Sequence, residues 1–252
     1  MPGRTGRARR IVGIGGAAIG ALLVLAVVAF VVWANLTYPA ERGPLESVAQ
    51  DERVTVTERD GAIVMSPSQG AETSGLVFFT GAKVEPEAYQ ATLRETVAAG
   101  QTLVIVKSFL NLPLFETRPL SDFTSLAPEI ETWAVGGHSM GGVKACMFAE
   151  SEPEDVTALV LFASYCADDA LAGRDDIDVL SLSATNDGLA TPEKIEASVA
   201  DLPDGTRFEA IAGAVHAQFG AYGEQPGDGT PTISDDQART EITEALAGFL
   251  GG

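Results

Sequence analysis

The chain has 252 residues, of which 46% are hydrophobic and 20% are charged. This length suits one sizeable domain, and this composition argues against a wholly disordered chain. The formal net charge of -19 argues against a nucleic-acid-binding surface, which needs clustered Lys and Arg side chains to contact phosphates. Two cysteines are too few for a disulfide scaffold or a structural zinc site.

The N-terminal segment predicts a membrane anchor. Residues 1–10 carry four Arg and no acidic side chain, and residues 11–33 contain no charged side chain. A helix over residues 11–33 would reach about 34 Å, enough to cross a hydrocarbon core of roughly 30 Å. The positive-inside rule then places residues 1–10 in the cytoplasm and the rest of the chain outside. A cleaved secretory signal, ending at Ala34, is the alternative, and it would export the same body.

Residues 34–52 are polar with two prolines and predict a linker. Beyond it, residues 53–252 alternate between short apolar runs and helical patterns, which is typical of an α/β domain. Strands are predicted at Val54–Thr57, Ala62–Met65, Leu76–Thr80, Leu103–Val106, Thr132–Gly136, Ala158–Ala163, Val179–Ser183 and Arg207–Ile211. Helices are predicted at about 87–99, 140–150, 192–201 and 235–250. The first two strands form an antiparallel hairpin, and the uniformly apolar later runs indicate parallel strands buried on both faces.

The segment TWAVGGHSMGGVKACMFA predicts a strand, a sharp turn at Ser139 and a helix. This is the Gly-x-Ser-x-Gly nucleophile elbow in its required context. Gly137 and Gly141 are needed for steric reasons, because side chains there would collide with neighbouring backbone. The motif therefore identifies Ser139 as a candidate nucleophile.

A serine nucleophile needs a base and an orienting carboxylate. The chain has two histidines. His138 leaves the elbow in a different direction from Ser139 and is expected to pack beside the sheet, so His216, after the last strand, is the expected base. Asp187 follows the preceding strand in an Asn-Asp-Gly turn and is the expected acid, although an Asp there can also serve the turn alone.

The oxyanion of an acyl-transfer intermediate needs two N–H donors. We expect one from Met140, directly after the nucleophile, and one from Ala82, in the loop after the third strand. Tyr165 follows the sixth strand and is a candidate for the pocket wall, with core packing as the alternative. Residues 218–230 form a long Gly-rich loop that either folds over the site beside His216 or connects elements at the surface.

The elbow GGHSMGG, the acid turn ATNDG and the histidine loop GAVHAQFGAYG resemble those of the α/β-hydrolase superfamily, over roughly residues 53–250. Within it, the chain is similar to the compact, lidless group related to dienelactone hydrolases and small esterases. The eight strands with mostly helical connections predict a three-layer sandwich, and the resemblance implies that it is an α/β-hydrolase sandwich with a mostly parallel eight-stranded sheet. The helix predicted over residues 11–33 would precede it as one transmembrane helix. The resemblance also implies an acyl-enzyme on Ser139. Dienelactone hydrolases use a cysteine nucleophile, so their substrate is not carried over.

These features predict a membrane-anchored serine hydrolase that cleaves a carboxylic ester, lactone or thioester, with its catalytic domain outside the cytoplasm. The alternatives are an extracytoplasmic acyltransferase with the same triad and a non-catalytic binding protein on the hydrolase fold. No cofactor or metal is expected. The expected partners are a small-molecule or envelope-associated acyl substrate and the bilayer around residues 11–33. Cys146 and Cys166 are either buried thiols or, in an oxidising compartment, a disulfide.

Overall fold

The computed structural model describes the backbone of residues 4–250 and the side chains of residues 19–250. The chain divides into two compact units, residues 1–36 and 37–252. In the first unit, helix α1 spans Arg4–Ala34.

No helix within residues 19–250 is long and apolar enough to cross a membrane. The transmembrane helix predicted for residues 11–33 is therefore not confirmed. Only residues 19–34 of α1 are described with their side chains, fewer than the roughly 20 apolar residues that a span requires. Residues 11–18 of the predicted span, and the basic residues 1–10, lie outside the part whose side chains are described.

The second unit contains an eight-stranded sheet in the order β1-β2-β4-β3-β5-β6-β7-β8. Strand β1 pairs antiparallel with β2, and β2 pairs antiparallel with β4, whereas all other pairs are parallel. The strands are β1 Val54–Arg59, β2 Ala62–Pro67, β3 Ser74–Phe79, β4 Thr102–Val106, β5 Thr132–His138, β6 Val156–Phe162, β7 Asp178–Ala184 and β8 Arg207–Ile211. All eight predicted strands and the edge hairpin are confirmed.

Helices cover both faces of the sheet and complete three layers. The helices of this unit are α2 Arg42–Ala49, α3 Gln90–Ala98, α4 Leu120–Thr124, α5 Met140–Ser151, α6 Pro192–Ala197 and α7 Asp235–Leu250. Successive residues of one strand point to opposite cores: Phe78 packs in the core that contains Leu246 of α7, and Phe79 packs in the core that contains Phe148 of α5. The expectation of strands buried on both faces is therefore confirmed.

The segment predicted as a linker, residues 34–52, contains helix α2. Val48 of this helix is buried in the core that also holds Val97 of α3. This helix could not be predicted from the polar composition of the segment, because a single buried side chain is enough to hold so short a helix against its neighbours.

The predicted disulfide alternative is the one that the structure adopts. Cys146 in α5 is bonded to Cys166, in the segment after β6, with a Cα–Cα separation of 5.6 Å. The segment between β6 and β7, residues 163–177, contains no helix, so no helical cap is inserted at this point.

Candidate active site

Ser139 lies at the turn between β5 and α5, at the carboxyl edge of the parallel strands. Its φ is 53° and its ψ is -123°, a conformation that costs a non-glycine residue free energy and persists only where the surroundings fix it. Two neighbours fix it here. The Ser139 N–H donates to the Phe162 carbonyl at 3.0 Å, and the Ser139 carbonyl accepts from the Ser164 hydroxyl at 2.7 Å.

The two elbow glycines stand where no side chain fits. A Cβ on Gly141 would overlap the carbonyl oxygens of Phe79 and Thr80, and a Cβ on Gly137 would overlap the backbone of Gly141. The helix can therefore approach the end of β3 only because residue 141 lacks a side chain. This is the steric requirement expected from the motif.

His216 and Asp187 meet at the end of the neighbouring strands. His216 Nδ1 lies 2.8 Å from Asp187 Oδ2, and both side chains are buried. The other carboxylate oxygen, Asp187 Oδ1, accepts the N–H groups of Leu189 and Ala190, each at 2.7 Å. Because the carboxylate is held on both oxygens, the hydrogen bond to Nδ1 fixes the imidazole and leaves Nε2 as the nitrogen that can take a proton.

Ser139 and His216 border one cavity of about 280 Å³. Met140 and Tyr165 line the same cavity, so the structure brings four of the sequence-predicted residues together. Its other lining residues are mostly apolar: Leu114, Val143, Ala163, Ser164, Leu189 and Ala190. A larger cavity of about 480 Å³ is lined by the loop after Gly220 and does not include Ser139.

The two expected oxyanion donors, Met140 and Ala82, lie in different kinds of local structure. Met140 begins helix α5, and the first N–H groups of a helix have no intrahelical acceptor. Ala82 is half-buried in the loop after β3, and its N–H donates to no residue within the described part of the chain. The N–H of the preceding Gly81 is already used, because it donates to the Tyr89 hydroxyl at 2.8 Å.

His138 is buried behind His216, as expected for a residue that packs beside the sheet. The centroids of the two rings lie 4.4 Å apart. The Tyr89 hydroxyl accepts the Gly81 N–H and lies within hydrogen-bond distance of His138 Nδ1, at 2.9 Å. Burial, and secondarily the nearby His216 ring, holds the pKa of His138 well below its usual range. His138 is thus a neutral residue that joins the elbow to the loop of Ala82.

The segment after β4 braces this loop from the other side. The Lys83 N–H donates to the Asn111 carbonyl at 2.6 Å, and Lys83, Leu110 and Asn111 all have positive φ, of 64°, 56° and 52°. Leu114 of the same segment lines the cavity. Neither this segment nor Tyr89 could be identified from the sequence, because neither carries a motif and both reach the site only through the sheet topology.

Within residues 19–250, no group of three or more His, Cys, Asp and Glu side chains is arranged to hold a metal ion. The polar groups around the cavity are instead a hydroxyl, an imidazole backed by a carboxylate, and backbone N–H groups. Such a set can activate a serine and stabilise a developing oxyanion.

Comparisons with known proteins agree with this fold. The sequence model of the alpha/beta hydrolase family matches residues 75–240, whereas no curated protein matches the chain. A predicted CIB-like hydrolase from Thermoplasma acidophilum has a TM-score of 0.58 at 13% identity, covering 78% of this chain and 98% of that chain. A dienelactone hydrolase from Anabaena variabilis has a TM-score of 0.56 at 15% identity, covering 79% and 99%. A dienelactone hydrolase-like promiscuous phosphotriesterase from metagenomic libraries has a TM-score of 0.53 at 16% identity, covering 78% and 99%.

Proposed function

The chain belongs to the alpha/beta hydrolase family, and from this premise we propose that it is a serine hydrolase that cleaves an ester-like bond through an acyl-enzyme on Ser139. One observation carries the proposal: the strained Ser139 borders the same cavity as His216, and His216 is paired with the buried Asp187. A fold shared with hydrolases of low sequence identity supports hydrolase activity but does not specify the substrate. The assignment of Ser139 as the nucleophile and of an ester-like substrate is argued from the geometry of the site.

The proposed reaction follows from these positions. Ser139 Oγ attacks the substrate carbonyl while its proton passes to His216 Nε2, and Asp187 stabilises the imidazolium through Nδ1. The N–H groups of Met140 and Ala82 donate to the oxyanion. Collapse of the tetrahedral intermediate breaks the bond to the leaving alcohol, which takes the proton from His216. Water, deprotonated by His216, then attacks the acyl-enzyme and releases the acid and Ser139.

The lining of the cavity supports a short apolar acyl group in the proposed substrate. Leu114, Val143 and Leu189 present apolar side chains beside Ser139, and the volume of about 280 Å³ is at the small end of ligand sites. We therefore assign a carboxylic ester, lactone or thioester with a short apolar acyl group. Rates on p-nitrophenyl esters are expected to fall from butyrate to octanoate, and a steady rise along that series would contradict the assignment.

The decisive experiment is fluorophosphonate labelling of the full chain beside Ser139→Ala and His216→Ala. Labelling of the parent and of neither variant is expected, since the probe needs a serine activated by a base. Absence of labelling in a folded parent would overturn the proposal in favour of a binding protein. With a labelled parent, product analysis in the presence of added alcohols separates hydrolysis from acyl transfer.

We also propose that the catalytic domain works outside the cytoplasm. The Cys146–Cys166 disulfide supports this location, because structural disulfides are rare in reducing compartments. The confinement of all acidic side chains to residues after Pro39, behind a basic N-terminus, is compatible with export by an anchor or a cleaved signal.

A further inference from the structure

The loop 223–231 folds against the two turns that carry Asp187 and His216. The Asn186 side-chain amide donates to the Thr230 carbonyl at 3.0 Å. Gly188, directly after the acid, packs so closely on this loop that a Cβ there would lie 2.6 Å from the Gly227 carbonyl oxygen. The Gly-rich loop therefore lies beside the His216 turn, but none of residues 218–230 lines the cavity that Ser139 borders.

Asp228 is at the centre of this contact. Its Oδ1 accepts the N–H groups of Gly188 at 3.1 Å, His216 at 3.2 Å and Gly229 at 2.7 Å. Its Oδ2 accepts the N–H of Ala217 at 2.8 Å. One carboxylate thus holds the backbone of the acid turn, the backbone of the base turn and its own loop.

We propose that Asp228 is a positioning residue for the catalytic pair, an inference that rests on the proposed function of Ser139, Asp187 and His216. The 2.8 Å contact between the acid and the base joins two separate loops, so any change in the spacing of these loops changes the orientation of the imidazole. Misplacement by about 1 Å can cost about 100-fold in rate. Asp228 sets this spacing because it binds Gly188 on one side and His216 with Ala217 on the other.

The chemistry of the contact requires a carboxylate. All four groups around Asp228 are N–H donors, and an ionised carboxylate is an acceptor on both oxygens. An Asn side chain of the same shape has one acceptor oxygen and one NH₂ group. Whichever way that amide is turned, a donor faces a donor. With the NH₂ group at the Oδ2 position the contact to Ala217 is lost, and with the NH₂ group at the Oδ1 position the contacts to Gly188 and His216 are lost.

The test compares Asp228→Asn with Glu224→Gln in the full chain. Glu224 is an exposed carboxylate in the same loop, so this control removes one negative charge without removing the contacts to Gly188, His216 and Ala217. Active-site concentration is titrated with a fluorophosphonate, so that kcat refers to competent enzyme only. For Asp228→Asn we expect kcat to fall about 10- to 100-fold with KM changed less than about twofold, while Glu224→Gln matches the parent. Equal kcat values in the two variants would overturn the proposal.

Amide hydrogen exchange on the parent protein keeps the proposal falsifiable if Asp228→Asn does not fold. The amides of Gly188 and Ala217 are expected to exchange at least tenfold more slowly than the amide of exposed Gly223, because the first two donate to Asp228. Equal exchange would overturn the inference. A parent that exchanges as expected but does not label with fluorophosphonate would instead refute the proposed function and leave the contact intact.

Discussion

At the scale of single residues, His138 couples the site to the stability of the domain. The pKa of His138 is lowered mainly by burial, so the side chain stays neutral in the folded state and takes up a proton, around pH 6.5, only on unfolding. The unfolded state then binds more protons, and the free energy of unfolding falls as the pH drops below about 6.5. This contribution is fully present above that pH.

We expect the parent to lose stability on the order of 1 kcal/mol through His138 as the pH falls from 7.5 to 5.5. His138→Gln removes the titration while keeping a polar side chain that can pair with the Tyr89 hydroxyl, so its loss of stability over this range should be smaller by that amount. Urea unfolding of both proteins at the two pH values measures the difference. Equal losses would show that His138 does not carry this pH dependence.

The Tyr89 hydroxyl is a second residue-scale feature with a measurable effect. It is fully buried and pairs both with the Gly81 N–H and with His138 Nδ1. Tyr89→Phe leaves both partners without a hydrogen bond, at a cost of about 1–3 kcal/mol, and loosens the loop that holds Ala82.

The control for Tyr89→Phe is Tyr222→Phe, which removes a hydroxyl that donates to Gln225 Oε1 at 3.0 Å. We expect Tyr89→Phe to lower both the urea midpoint and kcat, and Tyr222→Phe to lower the midpoint less. A kcat unchanged by Tyr89→Phe would mean that the Ala82 loop is set by other contacts.

At the scale of elements, the junction of β5 and α5 depends on the absence of a side chain at residue 141. Gly141→Ala should either prevent folding or push α5 away from Phe79 and Thr80, since the added Cβ overlaps both carbonyls. Gly173→Ala is the matched control, because a Cβ there meets no atom within 4 Å. We expect loss of soluble, active protein for the first variant and parental activity for the second. Full activity of Gly141→Ala would refute the steric explanation of the motif.

The elements differ in how far their sequence predicts them. The apolar runs of β3 to β7 predict buried strands because their hydrophobic side chains pack in one or the other of the two cores. Helix α4, at Leu120–Thr124, and helix α2 were not predicted, since elements of five to eight residues are stabilised by tertiary packing rather than by a periodic pattern. For the same reason, the observed boundaries of helices differ from the predicted ones. The helix predicted at 87–99 begins as a 3₁₀ turn at Pro86–Tyr89.

At the scale of the whole molecule, the residues of the site and their order along the chain could be predicted, but the residues that hold them in place could not. Parallel strands that end at one edge bring Ser139, Asp187 and His216 together, so strand order and turn chemistry are enough to identify them. Tyr89 and Asp228 act through contacts with residues 8 to 49 positions away in sequence. An Asp followed by Gly looks like any turn Asp until the fold places four N–H groups around it.

The disulfide between Cys146 and Cys166 is expected to stabilise the whole domain. It ties α5, which begins directly after Ser139, to the segment of Tyr165, and so holds two walls of the cavity together. Across a sequence separation of 20 residues, the chain-entropy model gives a stabilisation of about 3 kcal/mol. Reduction under conditions that keep the fold should therefore lower the melting temperature by about 6–12 °C.

Calorimetry with and without reductant measures this shift. The control is Cys146→Ala combined with Cys166→Ala, whose melting temperature should not respond to reductant.

Thiol counting of protein recovered from its native compartment tests the proposed location of the domain. No reactive thiol after denaturation is expected if the domain matures outside the cytoplasm, because the bond persists there. Two reactive thiols would place the domain in a reducing compartment and contradict the proposed location, since both cysteines are buried in the fold and would otherwise keep the bond.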